Sequence, residues 1–348
     1  MLKKTALYNW HEALGAKLVD FAGYEMPLWY KNAKEEHFSV RQSVGMFDIS
    51  HMGLVVFSGP NAAPFLQKVC TNDIEKIKPN KIMYTMILNH EGGILDDVMV
   101  GYNHELGAYF MIINASNKEK IMGWFSQHGL DALDVEERFN THGLLAIQGP
   151  HAKAVLLDEL PIDWDRLGRF QSQVIDLFGT SALVMRTGYT GEDGIEISIC
   201  NDQLPQLWEQ LVAKGIAPCG LAARDSLRIE SGLPLYGHEL NETLTPLQTR
   251  YQWVLKWQTG FIGETALQAK KDKTNTKTVG LRFFERCLAR QGNEIKEGGS
   301  VTSGTFSPVL NAPIAMAMVP NTIHVGQTVT VAIRSREFQA TVVELPFI

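Results

Sequence analysis

Gly92-Gly93-Ile94-Leu95-Asp96-Asp97-Val98-Met99-Val100 sets two acids side by side in a run that otherwise reads as an apolar strand. The glycines suit a turn. Beyond them side chains alternate between faces, so the pattern predicts Asp96 with Ile94, Val98 and Val100, and Asp97 with Leu95 and Met99. Neither face reads as wet. An unpaired carboxylate among apolar neighbours loses hydration, which raises its pKa by as much as ~3–5 pH units when fully buried. The pair therefore needs a partner, a proton or a ligand. It is either a working group or an acid at a strand end bonding a nearby turn.

Working outward, residues 83–88 and 94–102 form a hairpin around Asn89-His90-Glu91-Gly92-Gly93. A strand over 109–114 follows, then Ser116-Asn117-Lys118-Glu119, a capping-box pattern that opens a helix carrying Ile121, Met122, Trp124 and Phe125. On the N-terminal side, 21–30 packs aromatics around Gly23 and Pro27 and reads as an ordered loop, whereas Asn32 caps a helix that ends at Gly45. Asp48 and His51 stand close enough for acid–base chemistry or for a structural contact, with no nucleophile elbow beside them.

Downstream, strands over 181–186 and 195–199 flank Thr187-Gly188-Tyr189-Thr190-Gly191-Glu192-Asp193-Gly194, which lacks the glycine spacing of a phosphate cradle. Ile195, Ile197 and Ile199 face a core, so alternation alone puts Glu196 on a solvent face. In the helix beginning near Cys219, Arg224 and Arg228 stand four apart on one face. Either Asp225 or Glu230 lies between them, or one arginine holds an anionic ligand with its two-pronged guanidinium. From about Pro246 the chain breaks into short runs over 278–283, 299–304, 314–319 and 328–334, an all-β C-terminal domain.

Composition narrows the function classes. The 348 residues carry a formal charge of −6 without long blocks of one sign, and charged residues are 20 % of the chain, which argues against a nucleic-acid partner. Lys270, Lys271, Lys273 and Lys277 read as a solvated connector. No apolar run approaches a membrane span, and the start of the chain lacks a secretory pattern. Four cysteines, far apart and without zinc-ligand spacing, point to reduced thiols, no metal and a cytoplasmic setting.

Six stretches in register, spread over nearly the whole chain, resemble the T-protein family of the glycine cleavage system, the aminomethyltransferases. They are Phe21-Ala22-Gly23-Tyr24-Glu25-Met26-Pro27, Phe47-Asp48-Ile49-Ser50-His51-Met52, Gly92-Gly93-Ile94-Leu95-Asp96-Asp97, Gly188-Tyr189-Thr190-Gly191-Glu192-Asp193-Gly194, Gly220-Leu221-Ala222-Ala223-Arg224-Asp225-Ser226-Leu227-Arg228 and Thr302-Ser303-Gly304-Thr305-Phe306-Ser307-Pro308. The resemblance implies an α+β, three-domain, cloverleaf-like protein of mainly antiparallel sheets with a C-terminal β-barrel-like domain. The divisions would be 1–52 with 140–245, then 53–139, then 246–348.

The resemblance further implies tetrahydrofolate as one-carbon acceptor and a lipoyl-bearing H-protein as partner. Asp97 would be the catalytic acid beside the folate nitrogens, stabilising positive charge that forms in transit, with Asp96 and Arg228 supporting. Glu196 would bind the pterin N–H edge, against the solvent-facing reading from alternation. Tyr84, Asn114 and Tyr189 would line the folate site, Met52 would pack against it, and Arg224 would meet the folate carboxylate tail. Two rivals share the resemblance: a tetrahydrofolate-dependent demethylase of dimethylsulfoniopropionate or an N-methyl amine, and a non-transferase folate-binding protein of iron–sulfur maturation. The latter carries a Lys-Gly-Cys-Tyr-type motif, and no cysteine here sits in that context. The segment Leu247-Gln248-Thr249-Arg250-Tyr251-Gln252-Trp253 departs from the acidic, glycine-containing stretch usual in the family, and the approach to Val301 through Gly298-Gly299-Ser300 is short.

Overall fold

The computed structural model describes residues 2–348. The acidic strand Ile94–Asn103 lies second in a five-stranded antiparallel sheet whose spatial order is Ile82–Leu88, Ile94–Asn103, Ala108–Ile113, Gly53–Ser58 and Asp134–Glu137. A six-stranded sheet runs Ser172–Leu177, Thr180–Met185, Gly194–Cys200, His142–Gln148, Gly45–Asp48 and Ala217–Pro218, antiparallel except for its last pairing. The third sheet, five antiparallel strands between Thr276 and Val343, makes the C-terminal β domain. Together these form an α+β fold of mainly antiparallel sheets.

The first two sheets face each other. Phe47, Leu144, Ala146, Leu183 and Met185 from the six-stranded sheet share one core with Leu54, Val56, Phe110 and Ile112 from the other. The outer face of the six-stranded sheet buries Ile195, Ile197 and Ile199 against helix Leu204–Ala213, whose Leu204, Leu207, Trp208 and Leu211 point inward at helical spacing. The outer face of the five-stranded sheet packs Val55, Val98 and Val100 on helices Ala62–Val69 and Lys118–Gln127. Burial on both faces explains why these strands read as near-continuous apolar runs.

Three expectations change. Residues 21–30 are not a loop: Lys17–Phe21 and Tyr24–Trp29 pair as a hairpin, turned at Ala22 and Gly23 with φ of 51° and 81°. Ser116 does not cap the following helix. A 3-10 turn, Ala115–Asn117, precedes it, and Asn117 uses its side-chain amide on Asp96 at 2.6 Å. Strands Ser172–Leu177 and Arg336–Val343 and helix Tyr8–Ala13 join the elements read from the pattern. The Asn32 cap holds, accepting the Glu35 N–H at 2.9 Å. Among the described residues, no helix is long and apolar enough to cross a membrane.

Candidate active site

The turn before the acids is built by Asn89, whose Oδ1 accepts the N–H groups of Glu91 at 3.1 Å and Gly93 at 2.7 Å. Gly92 has φ of 83°, and a Cβ on Gly93 would overlap the Glu242 carbonyl oxygen, so both positions need glycine. Across the hairpin Ile87 opposes Asp96 while Leu88 opposes Ile94, which leaves Leu95 as the extra residue of a β-bulge. The bulge corrects the alternation: Leu95 joins Val98 and Val100 on the face of Asp96, and Ile94 joins Met86 and Leu88 on the face of Asp97.

The two acids thus have different surroundings. Asp96 is fully buried and accepts from Asn114 N at 3.1 Å, Asn114 Nδ2 at 2.8 Å and Asn117 Nδ2 at 2.6 Å. All three partners are donors, so this acid is a fixed anchor. Asp97 is partly exposed, and accepts from Tyr84 Oη at 3.0 Å and Asn114 Nδ2 at 3.0 Å. Burial pushes Asp96 up to about 7, the Asp97 charge adding to the effect, and pushes Asp97 up to about 6 against the hydrogen bonds of Tyr84 and Asn114. Neighbouring acids of this kind titrate as a pair. A carboxylate poised near neutrality suits proton transfer.

Aromatic rings cluster beside Asp97 at tilted angles. The Tyr84 ring lies 5.4 Å from Tyr251 and 6.0 Å from Trp253, and Tyr236 donates to the Ile94 carbonyl at 3.1 Å. Burial raises the Tyr84, Tyr189 and Tyr251 hydroxyls well above their usual range, so all three stay protonated donors. Tyr251 and Trp253 belong to the stretch singled out only as a departure from the family pattern. The aromatic character of 251–253 was its one local signal.

Glu196 is half-buried on the face toward the second sheet rather than on an open solvent face. Its cross-strand neighbours Met185 and Ala146 lie in the core between the two sheets, and Thr187 Oγ1 donates to its Oε2 at 2.7 Å. Arg224 lies 4.8 Å over the Tyr189 ring, and its Nη1 is shut from solvent without a partner. Burial lowers the Arg224 pKa, opposed by the Glu196 charge. Tyr189 donates its hydroxyl to the Pro234 carbonyl. Met52 packs half-buried against the inter-sheet core.

The two arginines do not share a carboxylate. Arg228 is saturated by Asp225 at 2.9 Å, Glu239 at 2.9 Å and Ser303 at 2.7 Å, which ties its helix to the C-terminal domain. Glu230 turns away to His37, Arg41 and Ser307. Glu239, which the sequence reading did not single out, is 2 % exposed with Oε1 unpartnered, and its charge reaches Asp97.

Asp48 pairs with His11 rather than His51. It accepts from Thr5 Oγ1 at 2.7 Å, lies 2.9 Å from His11 Nε2, and takes the Ser50 N–H at 2.9 Å. Burial would raise its pKa, but these contacts outweigh it and hold the carboxyl low. His51, pushed down to about 3 by burial and the Arg224 charge, is neutral. This is a structural cluster. Among the described residues no group of three or more His, Cys, Asp and Glu is arranged to hold a metal ion.

A carboxylate pushed up toward neutrality beside a cluster of aromatic rings, with Arg224 and Glu196 half-buried in the same two-sheet fold, is an arrangement suited to acid–base catalysis. Residues 7–259 match the GCVT N-terminal domain, and residues 277–348 the glycine cleavage T-protein C-terminal barrel domain. An aminomethyltransferase of Prosthecochloris aestuarii is 40 % identical over 362 residues, covering 100 % of this chain and 99 % of its own. One of Bacillus subtilis strain 168 is 37 % identical over 360 residues with the same coverage. The crystal structure of glycine cleavage system aminomethyltransferase T from Bartonella henselae matches with a TM-score of 0.94 at 33 % identity, covering 100 % of this chain and 98 % of that one. The chain belongs to the aminomethyltransferase family, the T-proteins of glycine cleavage, and is an enzyme of that class.

Proposed function

We propose that the protein moves the aminomethyl carbon borne on the lipoyl sulfur of H-protein to tetrahydrofolate, releasing ammonia and leaving 5,10-methylenetetrahydrofolate. The observation that carries this reading is Asp97, a partly exposed carboxylate pushed up to about 6 and aimed by Tyr84 and Asn114. Tetrahydrofolate supplies the N5 and N10 amines that take the carbon as its C–S and C–N bonds break, their two protons passing to the lipoyl sulfur and the departing ammonia.

Asp97, when ionised, stabilises the positive charge that develops between these bonds and receives a proton in passage. Because that charge exists only in transit, the contribution lies in the barrier rather than in binding. Asp96 holds Asn114 and Asn117, and Asn114 in turn holds Asp97. Glu196 has one oxygen committed to Thr187, and its other oxygen suits the N–H edge of the pterin. The unpartnered Nη1 of Arg224 suits an anionic group, which the folate tail provides. Tyr84, Tyr189, Asn114 and Met52 form the surrounding wall, and Arg228 braces the helix that carries Arg224.

The division into 1–52 with 140–245, 53–139 and 246–348 is supported by the sheets, each of which draws its strands from one of these sets. Four free cysteines and the folate and lipoyl chemistry fit the cytoplasm. The test offers tetrahydrofolate with either aminomethyl-lipoyl H-protein or dimethylsulfoniopropionate. Methylenetetrahydrofolate from the first alone supports transfer. Methyltetrahydrofolate from the second would make the protein a demethylase, and binding without a folate product from either would leave it a folate-binding protein.

A further inference from the structure

Trp253 is an exposed apolar side chain that meets the Asp97 cluster directly. It is 54 % exposed, its ring lies 6.0 Å from that of Tyr84, and Tyr84 donates to Asp97 at 3.0 Å. Tyr251 lies against the same Tyr84 ring at 5.4 Å. The backbone beneath is anchored: Val254 and Leu255 are buried with Met86, Leu88 and Ile94, Gln252 Nε2 donates to the Leu247 carbonyl at 2.7 Å, and Lys256 N donates to Thr71 O at 2.9 Å. Trp253 is therefore not a core residue left partly uncovered. It is held outward on a 3-10 turn, Gln252–Val254, and its ring neighbours that of Tyr84, whose hydroxyl reaches the acid.

Resting on the transfer reading above, we propose that Trp253 is the contact for the hydrocarbon arm of the incoming lipoyl group. The arm is a chain of methylenes ending in two sulfurs, and both pack well on aromatic faces. A free donor such as dimethylsulfoniopropionate or a methyl amine has no such arm to lay along the ring. Trp253 is thus a specificity-determining residue: it favours a carbon delivered on a long apolar tether over one delivered free, without contact to the folate.

The test compares wild type, W253A and W253F, substitutions at a surface position that leave the buried anchor intact. By calorimetry, wild type binds lipoylated H-protein more tightly than the unlipoylated form, and W253A loses that difference while W253F keeps most of it. In turnover, W253A raises KM for aminomethyl-lipoyl H-protein and for free aminomethyl-dihydrolipoamide at least fivefold, with KM for tetrahydrofolate within twofold. Unchanged values for both lipoyl substrates overturn the proposal. So does a rise for H-protein alone, which would mark a contact with the body of the carrier, or a rise for tetrahydrofolate, which would place Trp253 in the folate wall. Wild type that turns over neither lipoyl substrate overturns the transfer reading instead.

Discussion

The Tyr84 hydroxyl donates to Oδ2 of Asp97 at 3.0 Å, and in doing so holds down the pKa of an acid that burial pushes up to about 6. Tyr84→Phe keeps the ring against Tyr251 and Trp253 but deletes this donor. The ionised form of Asp97 loses a hydrogen bond, so its pKa rises and the acid limb of the kcat profile moves to higher pH. We expect a displacement of about one pH unit, equivalent to about 1.4 kcal/mol of lost support for the carboxylate. A pH–rate profile of the variant checks this, and an unmoved limb would separate Tyr84 from the chemistry.

Asp97→Asn removes the charge while preserving shape. Turnover should fall by about 10²–10⁴-fold, the usual contribution of a placed acid–base group, with tetrahydrofolate affinity within a factor of two. The same variant reports on stability. Asp96 and Asp97 both have folded pKa values above the ordinary 3.8, so the folded state binds protons more tightly than the unfolded chain. Wild-type stability therefore declines as pH rises from about 4 to about 7. Urea midpoints measured across that window should decline less for Asp97→Asn, and a parallel decline would show that the pair is not the source.

Local pattern was enough for much of this arrangement. Asn32 with Glu35 marks a helix start because the capping contact lies within one turn, and the glycines at 92 and 93 mark the hairpin because few other residues tolerate that backbone. The acids' faces were harder, since a single extra residue at Leu95 shifts every side chain before it, and nothing in the residue itself announces a bulge. Glu196 was misread by alternation for a different reason. A period of two tells which residues share a face, but not whether that face meets water or, as here, a second sheet. The packing of the Tyr251 and Trp253 rings against Tyr84 joins positions far apart in the chain, which no local window contains. Asn117 sat in a plausible capping motif, and the buried Asp96 claimed its side chain instead.

Glu196→Gln tests the pterin assignment. The Thr187 hydroxyl can still donate to the amide oxygen, so the fold should be undisturbed, while the oxygen proposed to face the ligand is replaced by a donor. A hydrogen bond to a charged group contributes about 1.5–3 kcal/mol, which corresponds to a loss of roughly 10- to 150-fold in tetrahydrofolate affinity. Calorimetry reads this directly. An unchanged dissociation constant would leave Glu196 as a structural partner of Thr187 and nothing more.

Glu230 joins helix Leu221–Glu230, which also carries Arg224 and Arg228, to the C-terminal domain, and its replacement should be felt in stability. The fully buried carboxylate lies 3.0 Å from His37 Nε2 and 3.0 Å from Arg41 Nη2, and takes the Ser307 hydroxyl, while its own backbone carbonyl accepts Phe347 N at 2.9 Å. Burial alone would raise its pKa, but the contacts with His37, Ser307 and Arg41 outweigh that and hold it below the ordinary value. Glu230→Gln takes one of two carboxylates from the almost wholly enclosed Arg41 guanidinium, which keeps Glu192 at 3.0 Å from its Nη1. Leaving a buried charge without any partner costs about 3–5 kcal/mol, and the remaining Glu192 contact puts this variant at the lower end of that range. Because the folded pKa is depressed, the wild-type advantage is present above the unfolded glutamate value and disappears as pH falls through the folded one. Thermal melts should therefore show a large deficit for the variant at pH 7 that narrows in acid, and a deficit independent of pH would assign the loss to packing rather than to the charge.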